Sequence, residues 1–121
     1  RSIDYALNDR GLGVPNAEIH WRRMIEAALT SNVPVLLLTP TLDTRELLSS
    51  GEGQAPPLQQ HAEMVRALAQ EYAVGLVDSH RAFLEYIDRG GFQDDLMSSV
   101  NHPNFAGHTL VAKQLLRWFP V

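Results

Sequence analysis

The sequence predicts an α/β fold, a three-layer α/β/α sandwich with a parallel sheet between helices, and three observations lead there. Short apolar segments alternate with longer amphipathic ones, in the order strand, helix, strand, helix, strand, helix, helix. The run from Val33 to Pro40 is continuously apolar up to Thr39 and punctuated by prolines, the pattern of a strand covered on both faces. The bulk numbers suit one globular domain with a real core: 121 residues, 45% hydrophobic and 20% charged.

Taken in order, Ile3–Leu7 reads as a strand running into the turn cluster Asn8-Asp9-Arg10-Gly11. Asn16 is placed to cap a helix whose apolar face carries Trp21, Met24, Ile25 and Ala28. The second strand follows, and residues 41–57, with two glycines and two prolines among polar residues, read as a long exposed loop. Leu58, Ala62, Val65, Ala69 and Tyr72 form the stripe of a second helix, with His61 and Glu63 expected on its solvent side. Val74–Asp78 is a third strand, and Ala82–Ile87 a brief helix that Gly90-Gly91 ends. A loop runs on to Pro103, and Asn104 caps a last helix whose apolar face includes Val111, Leu115 and Trp118. No repeat or linker divides the chain, so residues 1–121 are read as a single domain, or part of one.

Several function classes are disfavoured. The net charge is −4 and the only adjacent basic pair is Arg22-Arg23, which argues against a nucleic-acid surface. No apolar run approaches the roughly 18 residues of a membrane span. There are no cysteines, hence no disulfide, thiolate metal site or cysteine nucleophile. His102 and His108 are six residues apart, off a common helical face, so no metal site is expected, and the composition offers no case for a cofactor. Asp78 at a strand end could suggest a receiver-type phospho-acceptor, but the only lysine, Lys113, lies inside the last helix.

In open parallel sheets, ligands bind beyond the carboxyl ends of the strands. The residues delivered there are Asn8 and Asp9, Thr39 and Thr41, and Asp78 to His80, while the loop before the last helix brings His102 to the same rim. Pro103 holds the His102 backbone extended, and imidazole titrates near neutrality, as a general base should.

The run Asn101-His102-Pro103-Asn104-Phe105-Ala106-Gly107-His108 resembles the histidine block of the SGNH (GDSL-type) hydrolases. Tyr5-Ala6-Leu7-Asn8-Asp9 is similar to their Gly-x-Asn-Asp block, with Ala6 in the glycine position. Leu36–Thr41 and Val74–Phe83 look like the middle strands, so the resemblance spans nearly the whole chain. It implies a flavodoxin-like sandwich and a serine esterase or acylhydrolase working through an acyl-enzyme on a small ester. In it His102 is the catalytic base and the Asn8 side chain an oxyanion donor.

Two departures stand out. The family's aspartate three residues before the histidine is Ser99 here, so the ring would be held by Ser99, by a backbone carbonyl, or by Asp94 or Asp95. The Gly-Asp-Ser nucleophile block is also absent: none of the seven serines lies in that context. The chain therefore reads as the C-terminal part of such a domain, lacking two N-terminal strands and inactive alone. A second chain or N-terminal fragment would complete the sheet at the apolar Ile3–Leu7 edge. The alternatives are a non-catalytic module that binds an acylated sugar or lipid, and a flavodoxin-like interaction domain.

Overall fold

The computed structural model describes residues 2–4, 11–47 and 55–120. Three strands, β1 (Ser2–Asp4), β2 (Leu36–Leu38) and β3 (Gly75–Val77), form one parallel sheet in the order β1-β2-β3. Helix α1 (Val14–Thr30) joins the first pair and α3 (Pro57–Glu71) the second. After β3 come α4 (Ser79–Asp88), an antiparallel hairpin of β4 (Met97–Ser99) and β5 (His102–Pro103), and α5 (Phe105–Leu116).

Period-two alternation along β2 sorts its side chains. Val35 and Leu37 join a buried cluster with Trp21 and Ile25 of α1 and Leu58, Val65 and Leu68 of α3. The register pairs Leu37 with Ile3 and with Leu76, which pack on that cluster too. The opposite face carries Leu36, Leu38, Gly75 and Val77. A second cluster of Leu42, Phe83, Leu96 and Met97 lies where the loop after β2 meets α4 and the hairpin.

Several expectations need correction. Gly13, at φ 75°, is the N-cap of α1, and Pro15 lies in its first turn, so the helix is under way before Asn16. The Asn16 amide instead donates to the Leu12 carbonyl at 3.2 Å. The loop after β2 contains a one-turn helix, α2 (Thr44–Leu47). His61 is buried rather than solvent-facing, whereas Glu63 is exposed. Trp118 lies beyond α5, half exposed, and donates Nε1–H to the Leu76 carbonyl at 2.9 Å.

A partly buried polar network ties the strand ends together. Arg66 on α3 grips Asp78 with Nε to Oδ2 at 2.7 Å and Nη2 to Oδ1 at 3.0 Å. Asp78 also accepts from the Thr39 hydroxyl at 3.1 Å and, as N-cap of α4, from the Arg81 N–H at 3.2 Å. The Thr39 hydroxyl in turn accepts the His80 N–H at 3.1 Å, and His80 Nδ1 lies 3.2 Å from Arg66 Nη2. These bonds make Asp78 a structural cap, engaged on both carboxylate oxygens.

Burial alone would raise the Asp78 carboxyl, but Arg66, the Arg81 N–H and Thr39 outweigh it and hold it below its ordinary value. Burial first, and then the nearby Arg66 charge, push His80 down to about 4. An unfolded His80 therefore binds a proton between its ordinary value near 6.5 and about 4, where the folded form does not. Stability should fall as pH drops through that window, by up to roughly 3 kcal/mol from His80. The Asp78 contribution, present above its unfolded value, is lost at still lower pH. Urea unfolding between pH 7 and pH 4 checks this: His80→Gln should flatten the upper slope, and an unchanged slope refutes the assignment.

Candidate active site

Thr39 and Thr41 follow β2 and Asp78 to His80 follow β3 at the carboxyl end of the sheet, and His102 lies on the β4–β5 hairpin, which packs against the loop after β2. Asn8 and Asp9 lie outside the described residues. His102 opens β5, paired in register with Ser99 of β4, and its ring is exposed. Ser99 Oγ lies 3.1 Å from His102 Nδ1, while Ser98 donates its hydroxyl to the His102 carbonyl at 3.0 Å. Consecutive serines on a strand thus hold both the ring and the backbone of one residue.

Of the alternatives for orienting the ring, the geometry brings Ser99 to it and directs Asp95 elsewhere. Asp95 Oδ2 accepts from the Tyr86 hydroxyl at 2.9 Å and from the Phe92 N–H at 3.0 Å. That bond raises the Tyr86 pKa, because the phenol proton is shared with a carboxylate. Asp94 contributes its backbone carbonyl, a long acceptor for the Asn104 amide at 3.4 Å. Among the described residues no ion pair joins His102 to a carboxylate.

The hairpin is anchored by Asn104 and Gly107. Asn104 Oδ1 accepts the Gly107 N–H at 3.0 Å, the expected N-cap of α5. Its amide donates to the Asp95 carbonyl at 3.0 Å, and its backbone N–H to the Leu96 carbonyl at 2.9 Å. A Cβ at Gly107 would lie 2.2 Å from that same Leu96 oxygen and 2.9 Å from Pro103 Cβ, so glycine is required by close approach. His108 is exposed on α5 and does not join His102. From below, Leu96 and Met97 pack on Leu42 and Phe83, and the Thr44 N–H donates to the Val100 carbonyl at 2.8 Å.

Sequence reasoning missed the hairpin itself and the seat that residues 42–44 provide. Asp43 there is almost fully buried, and its Oδ1 accepts from Arg45 Nε at 2.8 Å. Among the described residues there is no group of three or more His, Asp or Glu side chains able to hold a metal, and no helix long and apolar enough to cross a membrane.

The model of the GDSL-like lipase/acylhydrolase family matches residues 2–110. Among solved structures, an acetylxylan esterase from Geobacillus stearothermophilus superposes with a TM-score of 0.78 at 23% identity, covering 99% of this chain and 58% of that one. A second acetyl xylan esterase gives a TM-score of 0.78 at 21% identity, over 98% of this chain and 66% of that one. This chain thus spans less than two thirds of either neighbour. Catalytic mutants of the Geobacillus enzyme replace a serine, an aspartate and a histidine, the aspartate three positions before the histidine. No curated protein matches.

Two substitutions should loosen the hairpin without touching its ring. Asn104→Ala removes a cap and a clamp, and should cost about 1–2 kcal/mol. Gly107→Ala should cost at least as much, because the helix must back away from the Leu96 carbonyl. Amide exchange at residues 97–102 should accelerate in both variants relative to the amides of α1; uniform exchange across the chain contradicts this role.

Proposed function

Because the chain belongs to the GDSL-like lipase/acylhydrolase family, we propose that it forms the acid–base part of a serine ester hydrolase working through an acyl-enzyme. The observation that carries this reading is the 3.1 Å contact between Ser99 Oγ and His102 Nδ1 on the hairpin beside the sheet's carboxyl rim. With its proton on Nδ1 donated to Ser99, the ring presents Nε2 as the basic nitrogen. It accepts the proton of an attacking serine hydroxyl and returns it to the leaving alcohol. The nucleophile comes from a segment outside these residues, since no Gly-Asp-Ser block occurs within them. Asn8, which follows β1 in the sequence, is the proposed side-chain amide donor to the tetrahedral oxyanion, and Asp9 beside it in sequence is proposed as a site-lining residue.

Ser99 lies three residues before His102, the spacing that separates the aspartate and histidine named in the neighbour's catalytic mutants. A hydroxyl fixes the ring but brings no negative charge to steady the imidazolium. The proposed site is accordingly a dyad with a neutral positioning residue. The acetylxylan substrates named for the neighbours make an acetylated sugar ester the first to assay. The same hydroxyl favours a second reading, a cleft that binds acylated sugar without turning it over.

The test is steady-state hydrolysis of p-nitrophenyl acetate and acetylated xylo-oligosaccharide by the protein from its complete reading frame. His102→Ala should lower kcat by about 100- to 10,000-fold. Asn8→Ala should lower kcat by about 100-fold or more, with KM nearly unchanged, the loss expected for one oxyanion donor. Ser99→Ala should lower kcat and Ser99→Asp should raise it. Wild-type turnover in His102→Ala rules out the hydrolase assignment. Binding of the acetylated sugar with no turnover in any variant selects the second reading.

A further inference from the structure

The lysine and arginine side chains among the described residues fall into two groups. Arg22, Arg45, Arg66 and Arg81 each form an ion pair with a carboxylate. Arg23, Arg89, Lys113 and Arg117 form none among the described residues. Arg23 lies on α1, but the other three line a single groove of about 670 Å³ between α4 and α5. Glu85 is the one acidic residue lining it, so the groove carries an excess of positive charge in a chain whose net charge is −4. Arg89 and Arg117 are helix C-caps, where a cation suits the helix dipole. That preference places each of them singly; it does not bring two helix ends and Lys113 around one cleft.

The groove also has a flat, fixed aromatic surface. The Tyr86 ring lines it, and the Tyr86 hydroxyl donates to Asp95 at 2.9 Å. A Cβ at Gly91 would come within 2.1 Å of Tyr86 Cε1, so glycine there lets the ring lie against the backbone. Gln114 adds an amide, which both donates and accepts. Arginine forks take carboxylates in paired bonds. An aromatic ring stacks on the C–H face of a sugar, and an amide bonds the hydroxyls. Clefts of this volume, with an aromatic wall and a few polar groups, are of the size that small ligands occupy.

We propose that the groove between α4 and α5 binds an acidic saccharide, with Arg89, Lys113 and Arg117 taking the carboxylates of uronic acid units and Tyr86 a sugar ring. That the anion is a sugar rests on the acetylated-sugar reading above; that the groove takes an anion rests on its own charge. Lys113 stands nine residues beyond Asn104, about 14 Å along α5 from the His102 hairpin. The groove therefore holds a polymer at a distance from the reacting ester.

Calorimetric titration tests this in the protein expressed from its complete reading frame, with an acetylated xylo-oligosaccharide bearing uronic acid and its neutral counterpart. The acidic ligand should bind about tenfold more tightly than the neutral one, and added salt should erase the difference. Arg117→Glu should cut that preference by about threefold or more, and Arg117→Gln by less, with thermal unfolding near that of the wild type. Arg23→Glu makes the same change in net charge as Arg117→Glu and should leave the preference intact. Equal affinity for the two ligands, no binding of either, or an equal loss in Arg23→Glu overturns the inference. Tighter binding of polyglutamate or of an oligonucleotide also overturns it, because the groove then takes an anionic peptide or nucleic acid. Hydrolysis of p-nitrophenyl acetate is measured alongside. A preference for the acidic sugar without hydrolysis keeps the groove and removes the esterase reading, and hydrolysis without the preference does the reverse.

Discussion

The Leu96 carbonyl oxygen is the point on which the geometry around His102 depends. It accepts the Asn104 N–H at 2.9 Å, and the first turn of α5 presses against it so closely that only glycine fits at position 107. The segment between Leu96 and Asn104 is thereby closed into a short loop, with its ends tied at one atom. A two-stranded hairpin this small is marginal by itself in water. Here closure removes much of the chain entropy that the hairpin would otherwise have to overcome. His102 lies inside the closed loop, so its backbone is fixed before any side chain acts on its ring.

That loop rests in turn on the ends of the sheet. Leu96 and Met97 share a cluster with Leu42, which follows β2, and Phe83, on the helix after β3. The Thr44 N–H reaches the Val100 carbonyl from the same side. A shift of either strand end would therefore move the hairpin. The network of Arg66, Asp78, Thr39 and His80 opposes such shifts by joining α3, β2 and α4 through bonds of fixed geometry. Burying a charged pair is costly, and its net contribution to stability is often small. What the network supplies is register, because no other mutual placement satisfies every member.

Much of this was legible in the sequence, and the failures have physical causes. The three strands show as short apolar runs and the long helices as periodic apolar stripes, and the Asn104 cap acts through its own side chain. The β4–β5 hairpin left no such trace: Met97-Ser98-Ser99 and His102-Pro103 are too short and polar to show alternation. Helix α2 has four residues, about one turn, from which no period can be read. His61 was readable and was misassigned. It stands three residues after Leu58 and four before Val65, on the buried stripe. Pro15 was a better marker of the start of α1 than Asn16, since proline favours the first helical turn. The spacing of Ser99 and His102 was visible, but only the strand pairing brings their side chains to 3.1 Å.

Position and electrostatics are separable in this arrangement. Backbone placement of His102 comes from Asn104, Gly107, Leu96 and the Ser98 hydroxyl, none of which depends on the residue at 99. Among the described residues the side chain at 99 hydrogen-bonds with the His102 ring, on an exposed strand where a change from serine to aspartate repacks no core. Under the proposed reading, a family built on an aspartate can therefore carry a serine at that position and keep its ring geometry. What changes is the stabilisation of a positive charge that exists only while the proton is held on the ring. The Ser99 substitution then acts on the barrier rather than on the fold.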